Sequence, residues 1–448
     1  MIDPLPIKPF THPVNARVSL PGSKSITNRA LIVAALADGK TILENCLFSE
    51  DTEIMVNALT ALGFEIDANA NEKRITVLGL GGKIPNKEAS LFVGNSGTSA
   101  RFLTAFCCLQ EGGEYTLDGV PQMRKRPIKS LVDCLIQQGA EIETTGDFMP
   151  ITIKPHGLKG GIVSINSMSS SQFISAIVMA APYGKEALTL QLEDTSLRRS
   201  YIDMTIEMLK QFGIQSKNII ASDSNYVIQP QKPYSSKPEG YKVEGDASAA
   251  SYFFALPLVV GGSIEIDGVT QNSLQGDTEF TTQIIAAGAQ IEWKDNSAIC
   301  RYEKGEKPTA LNSSFYKFSD TFLTGAAITP LLNGPSKIEG IAHTRHQECD
   351  RIEAMANGLD RVGQSISQEE GSLSVSPQPL QNASIATYHD HRVAMSFGIL
   401  GCFNKNGDGS PWLNIEDPTC CKKTFPDFFE VLENARIESE SAATTYHG

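Results

Sequence analysis

The chain has no apolar run of the roughly 18 residues a helix needs to cross a bilayer. Its start, MIDPLPIKPFTHPV, has neither a charged leader nor an apolar segment behind it, which reads as a cytoplasmic protein. Basic charge is also in short supply: 51 Asp and Glu stand against 38 Lys and Arg, a formal net charge of −13. A nucleic-acid or anionic-membrane surface needs the opposite field, so neither partner is expected and any anionic substrate has to be captured locally. The nine cysteines form no Cys-x-x-Cys pair and read as reduced, buried, small apolar residues. A strict nucleotide loop is missing as well. In LPGSKSITNRALIVAALADGKT (Leu20 to Thr41), Ser23 stands before Lys24 where the motif requires Gly.

What is present is a repeat. With 448 residues, 41% of them hydrophobic, the chain can build two or three domains. An amphipathic helix, a Gly and a strand recur as MVNALTALGFEI, LVDCLIQQGAEI, IEMLKQFGI, TTQIIAAGAQI and MANGLDRVGQSI. The stop glycines Gly63, Gly139, Gly213, Gly288 and Gly363 are 76, 74, 75 and 75 residues apart. Glycine is the expected residue just past a helix, where the chain turns left-handed. A second helix family starts on small polar residues, with Ser23, Ser96, Ser170, Asp246, Asp320 and Asp390 spaced by 73, 74, 76, 74 and 70. Its members are apolar nearly all round, as helices inside a domain are, while the strands between them are short and alternating. The expectation is an α/β protein of six units of about 75 residues, three per domain, with helices inside and sheets outside; the alternative is an α/β fold with surface helices. The Pro- and Lys-rich stretch Gln229 to Lys242 marks a domain boundary. The final RIESESAATTYHG has no apolar period and predicts a loose tail.

Basic residues gather at the starts of these helices. Lys24 and Arg29 open the first, Arg101 follows NSGTSA, Arg124-Lys125-Arg126 precedes another, and Arg198-Arg199, Arg345, Arg351, Arg392 and Lys422-Lys423 repeat the arrangement. Helix starts attract anions through free N–H groups and the helix dipole, and Arg and Lys beside them read as phosphate or carboxylate clamps. Asp320 in KFSDTFLT reads as a helix cap or as an acid/base group, and Glu348 in RHQECDRIEAM stands among cations that favour its charged, proton-accepting form. YHDHR (Tyr388 to Arg392) lacks the helical i, i+4 spacing of a metal site, and no metal is expected there.

The motifs LPGSKSITNRAL, GNSGTSARF, RKRPI, SSSQF, EGDASAASYF, SDTFLT, ECDRI, YHDHRVAMSF and KKTFPDFF, in this order and spacing, make the sequence resemble the 5-enolpyruvylshikimate-3-phosphate (EPSP) synthase family over essentially its whole length. The resemblance implies a two-domain, inside-out α/β barrel, the enolpyruvyl transferase fold, with residues 1–21 plus 242–448 in one domain, 22–241 in the other and the active site in the cleft between them. It implies transfer of the enolpyruvyl group of phosphoenolpyruvate to the 5-hydroxyl of shikimate 3-phosphate, with loss of phosphate, by a monomer that needs no metal or organic cofactor. Carried over by motif, Lys24, Ser25, Arg29, Ser170, Ser171 and Gln172 would meet shikimate 3-phosphate, together with Asp320, Arg198 and Gln347. Lys24, Asn95, Gly97, Arg126, Gln172, Arg351, Arg392 and Lys423 would hold phosphoenolpyruvate, with Thr98 beside them; Gly97 would admit a close backbone approach. Asp320 would take the proton of the attacking hydroxyl, and Glu348 with Lys24 would move the proton at the methylene carbon.

Three positions depart from the family's pattern. Gln347 stands where Lys is common, which removes a charge at the shikimate phosphate; Arg198 stands where Ser is common and would restore one; Phe102 stands where Pro is frequent. The sister transferase acting on UDP-N-acetylglucosamine is the nearest rival, but its usual Cys is absent from EYTLDGVPQMRKRP and its Lys-Asn-Ala pattern from the first motif. A non-enzymatic repeat scaffold is the other alternative; it requires a broad exposed apolar face, whereas charge gathers at the helix starts.

Overall fold

The computed structural model describes residues 2–166, 170–193, 199–231, 233–303, 305 and 307–445. The chain forms two compact units, a discontinuous one of Met1–Pro21 with Glu244–Gly448 and an inserted one of Gly22–Val243.

The inserted unit contains three four-stranded sheets built to one plan. In the clearest copy, strands Glu88–Phe92 and Glu114–Asp118 run parallel, and the hairpin strands Glu141–Thr145 and Phe148–Lys154 complete the sheet in antiparallel fashion. Among the described residues six α-helices accompany the sheets: α1 (Lys24–Leu36), α2 (Glu50–Ala61), α3 (Gly97–Cys107), α4 (Lys129–Gln137), α5 (Ser171–Ala180) and α6 (Ser200–Gln211). Helix α3 is the crossover between the two parallel strands, and α5 plays that part between Gly161–Ile165 and Leu188–Leu192. In the remaining sheet Asp38–Glu44 has no strand ahead of α1 in this unit, and Tyr241–Lys242 from the far end supplies the parallel neighbour. That pairing with Leu43 and Glu44 keeps Tyr241 and Lys242 with the inserted unit, which ends at Val243.

The discontinuous unit repeats the plan around α7 (Ala247–Val260), α8 (Phe280–Ala286), α9 (Phe322–Ile328), α10 (Arg351–Arg361), α11 (His391–Gly401) and α12 (Phe428–Thr445). Strand Val14–Ser19 pairs in parallel with Gly262–Asp267, so the inserted unit interrupts one βαβ crossover between its first strand and α7. The last sheet has three strands, and its antiparallel member is Leu5–Pro6 from the chain's beginning.

Helices α1, α3, α5, α7, α9 and α11 are the polar-start family, and they form the cores. Every residue of α3, α7, α9 and α11 is buried, as is α1 from Ile26 onward. The sheets bury one face, as in the alternation of Val14–Ser19. Helices inside and sheets outside, three sheets to a unit, are the expected architecture. The glycines after α2, α4, α6, α8 and α10 have φ of 95°, 103°, 95°, 113° and 89°, a region that L side chains rarely enter and that makes glycine the stop residue at each repeat.

One expectation fails. The C-terminal segment to Thr445 is not a loose tail but the second half of α12. Its helix is held by ion pairs at helical spacing, Arg436 with Glu433 at 2.8 Å and with Glu440, and by the Ser439 hydroxyl accepting from the Asn15 amide at 2.9 Å. No helix among the described residues is long and apolar enough to cross a membrane.

Candidate active site

In the inserted unit the helix starts are shaped by capping. Ser23 accepts from the Ile26 amide, Ser96 from Ser99 and Ser170 from Gln172. The cap leaves Lys24 as the first residue of α1, where its ammonium lies 3.3 Å from the Asp51 carboxylate at the start of α2, both largely buried. Ser25 contributes its carbonyl oxygen to Arg29, one turn further on.

Arg29 is enclosed, and its fork is committed to neutral oxygens. It donates to the Thr205 hydroxyl at 2.7 Å, the Ser25 carbonyl at 2.9 Å, the Ser175 hydroxyl at 3.3 Å and the Tyr201 carbonyl at 3.4 Å. The Phe102 ring lies 5.0 Å from the guanidinium carbon. Burial without a carboxylate lowers this guanidinium to about 10. Phe102, the departure from the family's frequent Pro, therefore packs on a buried cation.

A second buried guanidinium, Arg101, ties the start of α3 to the basic loop. It donates to the Gly97 carbonyl at 3.3 Å and the Pro127 carbonyl at 3.1 Å. Burial, and then the charge of Arg126, holds it well below the ordinary Arg range. A Cβ on Gly97 would come within 2.8 Å of the Arg126 guanidinium, so the space over this glycine belongs to Arg126. Of the basic run, Arg124 turns away to an exposed pair with Asp118, and Arg126 is the member at the start of α3. Asn95 holds a buried side-chain oxygen with no partner among the described residues, and Thr98 is buried. Ser171 is buried at the start of α5 with Gln172 half-buried beside it. Arg198 lies outside the described residues.

The discontinuous unit brings its candidates together around Arg351, the first residue of α10. Its buried guanidinium donates to Asp390 at 2.7 Å, Glu348 at 2.9 Å and Asp320 at 3.3 Å, and also to the Gln347 side-chain oxygen. Burial alone would lower Arg351, but the carboxylates of Asp390, Glu348 and Asp320 outweigh it and raise the group above the ordinary Arg range. Arg392 donates to the other oxygen of Asp320 at 3.1 Å, and the Lys423 ammonium lies 3.0 Å from Glu348. Two carboxylates, Asp320 and Glu348, are thus each gripped by two cations. Gln347 points into this network, reaching both Arg351 and, at 3.5 Å, Asp320.

The capping role open to Asp320 is not the one it takes. Asp246 and Asp390 cap α7 and α11 through their side chains, but Asp320 lies in the 3-10 turn Tyr316–Thr321, ahead of the α9 cap residue Thr321. Arg351 and Arg392 engage its carboxylate instead. In YHDHR, His389 turns to Asp417 with its Nδ1 at 2.6 Å, while His391 is buried in α11. Sequence reasoning missed Asp51, Thr205 and Ser175. An acid in a first helical turn and hydroxyls on helices are too common to signal a site, and their partners lie 27 to 176 positions away.

The sequence profile of the EPSP synthase (3-phosphoshikimate 1-carboxyvinyltransferase) family matches residues 10–432. The chain belongs to the EPSP synthase family. A protein of Opitutus terrae named 3-phosphoshikimate 1-carboxyvinyltransferase is 45% identical over 98% of each chain. One of Nostoc punctiforme with the same name is 40% identical over 96% of this chain and 100% of its own. A solved EPSP synthase from Acinetobacter baumannii matches with a TM-score of 0.80, covering 96% of this chain and 97% of that one, at 23% identity, which establishes a common fold.

Proposed function

We propose that the chain transfers the enolpyruvyl group of phosphoenolpyruvate to the 5-hydroxyl of shikimate 3-phosphate and releases inorganic phosphate, a step toward aromatic amino acids. The observation that carries this reading is the pair of carboxylates Asp320 and Glu348 held among Arg351, Arg392 and Lys423. Cations on both carboxylates favour their charged, proton-accepting forms. Membership of the EPSP synthase family supplies the substrates.

In the addition step the C5 oxygen bonds to C2 of phosphoenolpyruvate while its proton passes to Asp320, and C3 gains a proton from the Glu348 and Lys24 side. In the elimination step the C3 methyl gives up a proton to the Glu348 and Lys24 side, the C2–O bond to phosphate breaks, the phosphate departs with the proton taken up by Asp320, and the double bond reforms. Lys24, Arg126, Arg351, Arg392 and Lys423 bind the phosphate and carboxylate of phosphoenolpyruvate, with Asn95, Gly97 and Gln172. Ser25, Arg29, Ser170, Ser171 and Gln172 bind shikimate 3-phosphate, where Arg198 replaces the charge that Gln347 lacks. Fixed charges with water excluded stabilise the developing anions. The enzyme acts as a cytoplasmic monomer on small molecules alone.

The test is release of inorganic phosphate from a mixture of the two substrates. Release that depends on both supports the reading; a folded protein that releases none, or does so only with UDP-N-acetylglucosamine as acceptor, overturns it.

A further inference from the structure

Asp277 is a buried carboxylic acid that the reaction as described leaves unused. It lies in the 3-10 turn Gly276–Glu279, which packs against the turn carrying Asp320 and against α7. Where Asp320 is bonded by two guanidinium groups, Asp277 is bonded by a hydroxyl: Ser248 on α7 donates to its Oδ2. The Ser248 carbonyl in turn accepts from Ser251, whose hydroxyl is 2.8 Å from that of Thr324 on α9. The charged groups facing Asp277 are Asp320 from the neighbouring turn, Asp246 from the start of α7 and Arg392 from α11. Helix α8, which follows it, carries no charged side chain.

We propose that Asp277 is a positioning residue for the transfer reaction: its charge state sets the basicity of Asp320 and the share of Arg392 left for phosphoenolpyruvate. The inference rests on the enolpyruvyl-transfer reading. A buried carboxyl and a partly buried one on adjoining turns do not both ionise freely, and the one with fewer cations keeps its proton longer. Burial, then the charge of Asp320, pushes Asp277 up to about 7 from 3.8, against smaller opposing effects of Arg392 and Ser248. Below that pH Asp277 is neutral, and Arg392 is divided between Asp320 and substrate. Above it, a second negative charge beside Asp320 makes Asp320 a stronger base for the C5 hydroxyl proton. The same charge competes for Arg392 and weakens the hold on phosphoenolpyruvate. Turnover and KM for phosphoenolpyruvate therefore climb together as pH rises.

The test compares phosphate release by the native enzyme, Asp277→Asn and Ser248→Ala between pH 6 and 8. Ionisation of the substrates is common to all three, so the ratio of native to variant is read. Asn keeps an acceptor for Ser248 but cannot ionise. Native kcat and KM for phosphoenolpyruvate should each rise relative to Asp277→Asn by roughly an order of magnitude across that range. Ser248→Ala removes a bond that favours the charged form and should move the same rise to higher pH. A constant ratio of native to Asp277→Asn, or an unmoved rise in Ser248→Ala, overturns the proposal, as a merely structural role would change neither; if Asp277→Asn does not fold, Ser248→Ala decides. Carboxyl-carbon NMR of aspartate-labelled native protein gives a reading independent of turnover. A midpoint for Asp277 near 7 that falls in Asp320→Asn is expected, and one in the ordinary carboxylate range contradicts the proposal even if no phosphate is released.

Discussion

The two units handle buried arginine in opposite ways. In the inserted unit, Arg29 and Arg101 are enclosed among hydroxyls and carbonyls, and burial lowers both guanidinium groups. In the discontinuous unit, Arg351 is enclosed just as fully, yet three carboxylates surround it and raise it. A buried cation with only neutral partners lacks a counter-charge, which on the proposed reading the phosphate of shikimate 3-phosphate supplies for Arg29. A buried cation already matched by carboxylates has its counter-charge within the protein, and Arg351 fixes the positions of Asp320 and Glu348. On the proposed reading the difference is a division of labour at shikimate 3-phosphate: the inserted unit receives its phosphate through Arg29, and the discontinuous unit supplies Asp320, the base for its 5-hydroxyl.

The largest effect expected is on turnover. Lys24→Met removes the cation that Asp51 orients, and Asp320→Ala the base; each should cost about 4–6 kcal/mol of transition-state stabilisation, read as the fall in kcat/KM, with the fold intact by circular dichroism. Next comes Arg351→Ala, which leaves Asp390, Glu348 and Asp320 short of a partner. Urea denaturation should show a loss of about 3–5 kcal/mol. Arg29→Met carries the opposite sign. It removes a charge buried without a carboxylate, while Thr205 and Ser175 keep their mutual bond at 3.1 Å. It should stabilise the free protein by roughly 1–3 kcal/mol in the same urea experiment while abolishing activity. Stability losses of equal size in Arg29→Met and Arg351→Ala would erase the contrast between the units. The smallest effect belongs to Arg124→Ala, two residues from Arg126 but in an exposed pair with Asp118, where activity should stay within about twofold.

What could be read from the sequence was what the chain encodes locally. Gly63, Gly139, Gly213, Gly288 and Gly363 mark the repeat because a left-handed residue after a helix is a property of one position. The inward helices announced themselves through apolar residues on every side, and Asp246 and Asp390 through the amides two or three residues on. Asp320 looked like a third cap by repeat spacing, but guanidinium groups 31 and 72 positions away claim it. The C-terminal half of α12 was misread for a related reason. It has no apolar period of its own and depends on charge pairs and on a strand more than 400 positions away, through Asn15 and Ser439. Lys24 and Arg29 were legible as cations, but not that one leans on Asp51 and the other on Thr205 and Ser175.

The division of labour is tested most directly by calorimetric titration of shikimate 3-phosphate into Arg29→Met and Asp320→Ala, beside their turnover. The account predicts that Arg29→Met loses binding, whereas Asp320→Ala binds within about tenfold of the native enzyme and fails in turnover. Retained binding in Arg29→Met, with binding lost in Asp320→Ala, would contradict it.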